Sequence, residues 1–155
     1  MAKRKPDRTP VILLEEIFPG DTNPYGTAFG GKILALMDRA AALAASRYAH
    51  AQFVTASLEE MSFDAAVRQG EVAEVEARVV YTSKRTCGIQ VRVSALDKIE
   101  WVRRSCGSGF IFMVAVGPEG EILPVPAFKP AGRQEQATWR RVADLHRRIL
   151  KRKKP

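Results

Sequence analysis

The sequence predicts an α+β fold in which one long helix packs against an antiparallel sheet. A proline-free segment with helical spacing runs from Phe29 to about Tyr48. Two later segments alternate between apolar and polar residues, as half-buried strands do, and a short turn joins them. The strands then follow one another without intervening helices, so a doubly wound parallel sheet is not expected.

The first thirty residues predict a tail, a short strand and a loop. Met1–Pro10 is charged and contains prolines, so we expect it to be disordered. The segment "VILLEEIF" predicts a first strand from Val11. The following "PGDTNPYGT" is dense in turn-forming residues and predicts a loop that leads into the long helix.

Four more strands and a final helix are predicted after the long helix. "QFVTASLEEMSF" reads as a strand, and "EVAEVEARVVYT" and "TCGIQVRVSA" alternate with period two. "TSKR" is their turn, so these two strands form an antiparallel hairpin. "GFIFMVAV" is apolar throughout, which is typical of a strand buried on both faces. The prediction is a single domain at 11–130, followed by a basic helix and tail at 131–155.

Length and composition indicate a one-domain protein with an ordinary hydrophobic core. The chain has 155 residues, 46% of them hydrophobic. Its longest early apolar run, Val11–Leu14, is too short for a membrane span or a signal-peptide core. The two cysteines, Cys87 and Cys106, suggest neither a disulfide framework nor a metal cluster. We therefore expect a cytoplasmic protein with reduced thiols, no membrane span and no bound metal.

The net charge of +8 lies at the two ends of the chain. Residues 139–155 carry +7 and residues 1–8 carry +3, so residues 9–138 carry −2. Charged ends of this kind are usually solvated, and a tail that binds a polyanion is the second interpretation. Nucleic acid is therefore not expected to be the main partner.

A single acid lies within the long predicted helix, among alanines and leucines. At about 100° per residue the helix is apolar around most of its circumference, and one arc holds Phe29, Ile33, Leu36, Met37, Ala40 and Ala44. An unpaired buried carboxylate is costly. Asp38 therefore either pairs with an arginine, within the chain or across a subunit interface, or acts as a base or nucleophile in a cleft.

Two adjacent glycines, Gly30 and Gly31, stand near the start of this helix. Glycine is unfavourable inside a helix, but at its start it leaves free N–H groups open to a ligand. Two such amides at the positive end of the helix dipole could hold an oxyanion or a carbonyl oxygen. The alternative is a tight junction between loop and helix. Asp38 lies about two turns away, so a partner chain could complete the site.

The stretch "DTNPYGTAFGGKILALMD", Asp21 to Asp38, resembles the signature of hotdog-fold acyl-CoA thioesterases, the YciA-like and cytosolic acyl-CoA hydrolase family. That signature has Asp-Thr-Asn, a glycine three residues on, Phe-Gly-Gly, and then Met-Asp. The likeness continues through "VTASLEEMSF", "GEVAEVEARVVYTSKRT" and "FIFMVAVGPEGEILPVP", roughly from residue 11 to 126. Lys32 departs from the pattern, since close bacterial members often have a bulky aromatic residue there.

The resemblance implies a single hotdog domain and an acyl-CoA thioesterase activity. In that family a curved antiparallel sheet wraps a long helix, and two protomers join their sheets and share active sites. The dimers commonly form trimers of dimers. By motif, Asp38 is the catalytic carboxylate, Asn23 of the other protomer helps to place the water or carbonyl, and Gly30 and Gly31 polarise the thioester. No cofactor is implied, because coenzyme A is part of the substrate and the product.

The resemblance also implies two segments that bind coenzyme A. One is on the "TAS" strand and the other is at and after the hairpin turn, at Ala56, Ser57, Leu58, Ser83, Lys84, Arg85, Thr86 and Cys87. Lysine and arginine at such a turn suit the phosphates of the ligand. The alternative for this turn is an ordinary solvated hairpin tip.

Two other functions remain open at this point. A dehydratase or hydratase on acyl thioesters usually needs a histidine beside an acid, and neither His50 nor His146 stands in such a motif. A non-enzymatic module that binds coenzyme A is the other possibility. A cysteine nucleophile has little support, because Cys87 falls on the apolar side of a strand and Cys106 has no histidine near it in sequence.

Overall fold

The fold is a five-stranded antiparallel sheet with one helix on each face. The computed structural model describes residues 4–154. Strand β1 spans Val11–Glu16, β2 Gln52–Phe63, β3 Val72–Thr82, β4 Thr86–Leu96 and β5 Arg103–Val116; helix α1 spans Gly30–Ala49 and α2 Gly132–Arg152. The strand order in the sheet is β1-β3-β4-β5-β2. The predicted element order and the β3–β4 hairpin are confirmed.

Helix α1 lies on the inner face of the sheet and forms the main core. Its buried side chains pack against the inward-facing residues of β3 and β4, among them Val75, Ala77, Ile89, Val91 and Val93. The predicted apolar arc is confirmed except at Phe29. That residue caps the helix as the position before Gly30, and 59% of its surface is exposed.

Helix α2 covers the outer face with a second, smaller core. Val142, Leu145 and Ile149 pack against outward-facing residues that include Tyr81 and Phe112. The helix approaches the sheet closely at Gly88, where an added Cβ would lie 2.7 Å from Cγ1 of Val142. Strand β5 is therefore buried on both faces, as its apolar sequence predicts, because its alternate residues reach the two cores.

Residues 4–10 form no helix or strand, but they contact the folded body. The guanidinium of Arg8 donates to Glu135 at 2.6 Å and lies 4.4 Å from the centre of the Phe128 ring. Residues 1–3 lie outside the described residues, and disorder of the N-terminal segment stays a prediction. Neither helix within residues 4–154 is long and apolar enough to cross a lipid bilayer.

Candidate active site

Asp38 has its hydrogen-bond partner on the edge strand β2. The hydroxyl of Thr55 donates to Oδ1 of Asp38 at 2.5 Å. Asp38 is half-buried and Thr55 is exposed, so the pair stands at the surface of the inner core. Within residues 4–154 Asp38 forms no ion pair with an arginine, and the pairing that an interface could supply stays open. Thr55 was not among the predicted site residues.

A β-bulge explains how Thr55 comes to face the helix. Thr55 pairs with Met113, which belongs to the inner core, whereas Ser57 pairs with Phe112, which belongs to the outer core. The register shifts between them, at Ala56. Since one extra residue reverses the facing of a strand, Thr55 points toward α1 and Ser57 points toward α2.

The two segments predicted to bind coenzyme A lie at the same end of the sheet. Cys87 and Thr55 both pair with Met113, from opposite sides of β5. Two strand spacings, about 10 Å, therefore separate the start of β4 from the bulge of β2. Lys84 and Arg85 are exposed at the tip of the β3–β4 turn. The structure thus brings Asp38 and both segments together.

The tip of the β3–β4 turn is held by its own hydrogen bonds. The Ser83 hydroxyl oxygen accepts from the amides of Arg85 and Thr86, at 3.4 Å and 3.2 Å. The carbonyl of Lys84 accepts from the amide of Val125 at 3.0 Å. These contacts fix the turn backbone and leave the two cationic side chains in solvent.

Neither cysteine is placed as a nucleophile. Cys87 is fully buried beneath α1, and burial raises the pKa of its thiol to about 12. Burial also raises the pKa of Cys106, whose sulfur lies on the inner side of β5. Both thiols therefore stay protonated near neutral pH. A contact of Cys87 with a ligand would have to come from its backbone, since its side chain is in the core.

Gly30 and Gly31 occupy the first two positions of α1, as predicted. Helix geometry leaves their amides without an intrahelical partner, whereas the next two amides bond to the carbonyl of Phe29. An added Cβ on Gly31 would meet nothing within 4 Å, and one on Gly30 would lie 3.9 Å from the Phe63 ring. The space over Gly31 is therefore open in this protomer.

Asn23 organises the loop that precedes α1. Its side-chain oxygen accepts from the amides of Tyr25 and Thr27, and its Nδ2 donates to the Thr27 hydroxyl at 2.8 Å. Lys32 ties the same loop to the sheet, because its ammonium pairs with Glu15 and, at 3.2 Å, with Asp21. These hydrogen bonds raise the pKa of Lys32, so this lysine stays charged.

The predicted catalytic residues fall into two groups within one protomer. Gly30 and Asp38 are eight residues apart on one helix, a rise of about 12 Å. Gly30 stands next to Phe63, at the end of β2, while Asp38 bonds to Thr55 near its start. A single thioester carbonyl cannot contact both groups of the same chain.

Two cavities flank the sheet, on opposite faces. An apolar one of about 390 Å³ lies beside Gly30, lined by residues that include Ile33, Phe63 and Val67. One of about 590 Å³ lies on the outer face and contains no predicted site residue; it is lined partly by Arg8, Arg78 and Arg92. Arg8 and Arg78 already pair with glutamates there. We therefore place the candidate site on the inner face, despite the larger cavity outside.

Both histidines lie away from Asp38. His50 ends α1, three turns beyond Asp38, and its Nε2 lies 3.3 Å from the carbonyl of Lys5. His146 is buried on the outer face, where its Nδ1 and the Tyr81 hydroxyl are 3.1 Å apart. Within residues 4–154 no three histidine, cysteine, aspartate or glutamate side chains are grouped to hold a metal ion.

Comparisons with known proteins agree with this architecture. The chain is 33% identical over 127 residues to the acyl-CoA thioester hydrolase YciA of Salmonella typhimurium, covering 77% of this chain and 95% of that protein. It is 31% identical over 126 residues to the human cytosolic acyl coenzyme A thioester hydrolase, covering 80% of this chain. The chain spans only about a third of the length of that human relative, 33%.

Solved structures of similar proteins cover nearly the whole chain. An apo-hexameric acyl-CoA thioesterase superposes with a TM-score of 0.86 at 32% identity, over 96% of both chains. The Staphylococcus aureus acyl-CoA hydrolase, solved with butyryl coenzyme A and coenzyme A, gives 0.81 at 27% identity, over 92% and 88% of the two chains. That enzyme has also been solved as alanine variants of one aspartate, one asparagine and one threonine.

A family match completes the comparison. Residues 25–113, which run from the loop before α1 into β5, match the model of the thioesterase superfamily. Together with the fold and the YciA match, this shows that the chain belongs to the hotdog-fold thioesterase superfamily, in its YciA-like and cytosolic acyl-CoA hydrolase group.

Proposed function

We propose that the protein hydrolyses acyl-CoA thioesters to a carboxylic acid and coenzyme A. The observation that carries this proposal is the Asp38–Thr55 pair at 2.5 Å, a charged group at the surface of an apolar core beside an edge strand. The names of the relatives support the reaction class, since the YciA and human proteins are both acyl-CoA thioester hydrolases.

The spacing of three residues supports the assignment of the site. In the S. aureus hydrolase the replaced asparagine and aspartate are 15 positions apart, and the aspartate and threonine 17 apart. Asn23, Asp38 and Thr55 have the same two spacings here. We therefore include Thr55 in the site, as the donor that orients Asp38.

The proposed reaction needs only groups of this chain, its copy and water. Asp38 takes a proton from a water that attacks the carbonyl carbon, or attacks that carbon itself to give, once coenzyme A has left, a mixed anhydride that water then hydrolyses to the free acid and Asp38. The electron pair of the carbonyl moves to oxygen, where the amides of Gly30 and Gly31 stabilise the negative charge. When the carbonyl re-forms, the C–S bond breaks and coenzyme A leaves as a thiolate, which then takes up a proton. This route uses no metal ion or cofactor.

The two separated groups of residues indicate a site shared between protomers. Strand β2 is an edge of the sheet, with Val54, Leu58 and Phe63 exposed along it. If β2 pairs antiparallel with β2 of a second copy, the Thr55 end of one strand lies beside the Phe63 end of the other. That arrangement brings Asp38 of one chain toward Gly30 and Gly31 of its copy. A hexamer, as in the apo-hexameric relative, is the proposed full assembly.

The position of the substrate follows from charge and polarity. The phosphates of coenzyme A suit the exposed Lys84 and Arg85 at the β3–β4 turn, with the bulge of β2 beside them. The acyl group suits the apolar cavity beside Gly30. We propose a cytoplasmic location by analogy with the human relative, which is named for the cytosol.

The test is thiol release from a panel of short, medium and long acyl-CoAs. We expect wild-type hydrolysis of at least one chain length, and Asp38→Ala to lower turnover by at least about 100-fold, the usual contribution of a positioned base. Asp144→Asn, an exposed acid on α2, is the matched control and should leave turnover unchanged. Wild-type rates from a folded Asp38→Ala protein would show that the assignment is wrong.

Enoyl-CoA hydration, coenzyme A binding and nucleic-acid binding, measured beside thiol release, separate the other functions. A hydratase would add water to enoyl-CoA, which we do not expect, because neither histidine lies near Asp38. A binding module would retain coenzyme A without releasing thiol. A polyanion-binding tail would give salt-sensitive binding to nucleic acid.

A further inference from the structure

The bulge of β2 is held from both faces of the sheet. On the inner face Thr55 bonds to Asp38, and on the outer face Ser57 donates to Oε1 of Glu59. The extra residue between them is Ala56. A bulge is a place where a strand can change register, so contacts on both sides are needed to fix its backbone.

The outer contact continues into α2. The same Oε1 of Glu59 accepts from the guanidinium of Arg152 at 2.6 Å. The Glu59 side chain is only 14% exposed, whereas that of Arg152 is 63% exposed. The carboxylate is therefore shielded between the strand and the helix, and a charge-assisted hydrogen bond to it is stronger than one between neutral groups.

A second contact from α2 holds the neighbouring irregular part of β2. Arg141 pairs with Glu60, whose φ of 50° is a left-handed conformation that glutamate rarely adopts. The register of β2 shifts a second time between Glu59 and Ser62. Helix α2 therefore contacts β2 where its backbone departs from regular pairing.

We propose that Glu59 and Arg152 are positioning residues for acyl-CoA turnover. They act through Ser57 and hold the bulged segment 56–58 from the outer face of the sheet. Thr55 contacts Asp38 on the opposite, inner face. Helix α2 is then part of the catalytic apparatus, although it lies on the face of the sheet opposite Asp38. This inference rests on the proposed thioesterase function.

The test uses Arg152→Ala in the full-length protein, with Arg147→Ala as the matched control. Within residues 4–154, Arg147 pairs with Asp144 inside α2 and forms no ion pair with β2. We expect Arg152→Ala to raise KM for acyl-CoA about tenfold, with a smaller effect on kcat, since small misplacement of a positioning segment is costly. Its Tm should stay close to that of Arg147→Ala. Arg152→Lys, which keeps the charge, should recover most of the loss.

Exchange of the charges gives a second measurement. We expect Glu59→Arg alone to behave like Arg152→Ala, and the double variant Glu59→Arg/Arg152→Glu to recover part of the lost kcat/KM. If Arg152→Ala has the same KM and kcat as Arg147→Ala while wild type is active, the positioning role is wrong and the thioesterase function stands. If wild type releases no thiol from any acyl-CoA, the proposed function fails and the positioning role fails with it.

Discussion

Asp38 is oriented by a neutral hydroxyl. The Thr55 hydroxyl donates to one carboxylate oxygen and leaves the negative charge of Asp38 unneutralised within the described chain. An arginine in that place would have held the charge in an ion pair. A carboxylate that is positioned but not neutralised suits proton abstraction from water.

We predict that Thr55→Val lowers kcat by about 10- to 100-fold, because a hydrogen bond to a charged group contributes about 1.5–3 kcal/mol. Valine has nearly the same shape, so the strand should keep its packing. The measurement is kcat for the preferred acyl-CoA, with the pH–rate profile recorded for both proteins. Thr55→Ser keeps the hydroxyl and should retain most of the activity; equal rates for the valine and serine variants would contradict the prediction.

The sequence identified Asp38, Asn23 and the two glycines as candidates, but it did not identify Thr55. In a regular strand Thr55, Ser57 and Glu59 share one face, and nothing in the letters "TAS" marks the bulge at Ala56. The bulge appears only in the pairing with β5, which is a long-range property. A lone threonine in a strand is therefore uninformative until its register is known.

At the level of secondary structure, the sequence predicted the helices and hairpin well, but placed the start of β5 six residues late. The predicted strand begins at Gly109, whereas β5 begins at Arg103 and includes Gly107 as well as Gly109. Added Cβ atoms there would lie 2.2 Å from the carbonyl oxygen of Ser62 and 2.2 Å from the sulfur of Met61. Glycine is required at position 107, because the backbone of the irregular part of β2 approaches so closely there.

Helix α2 docks through an aromatic cluster that contains one histidine. His146 stacks on Phe112 and contacts Tyr81, and burial lowers its pKa, with a smaller contribution from Lys153. In the folded state the His146 imidazole is therefore protonated at lower pH than in the unfolded chain. Acidification below about 6.5 favours unfolding for that reason. The contribution of neutral His146 to the free energy of unfolding is complete above that pH and is lost as the pH falls through the pKa of His146 in the folded state.

We predict that Tm falls as the pH is lowered from about 7 to about 5, and that His146→Phe flattens this dependence. Phenylalanine keeps the stacking on Phe112 but has no proton to gain. The measurement is thermal unfolding across that range for both proteins, with His50→Phe as the control for the other histidine. An unchanged slope in His146→Phe would show that another group controls the acid sensitivity.

The whole molecule places the parts of its candidate site at opposite ends of the edge strand β2. The space over Gly31 is open, and Asp38 lies about 10 Å further along the same helix. The proposed two-fold pairing of β2 edges would make two equivalent sites, each with Asp38 from one chain and Gly31 from the other.

We predict that two inactive variants restore activity when they are mixed. Asp38→Ala removes the carboxylate, and Gly31→Phe fills the open space over the amide without meeting any atom of its own protomer within 4 Å of the new Cβ. In a mixed dimer one site has both defects, while the other has an intact Asp38 and an intact Gly31. Refolding the two variants together in equal amounts should therefore give about a quarter of wild-type turnover, since half of the dimers are mixed and one of the two sites in each is intact.

The control is the same amount of each variant refolded alone and then combined without exchange. A refolded mixture with no more turnover than this control would place Asp38 and Gly31 in the same chain's site and overturn the shared arrangement.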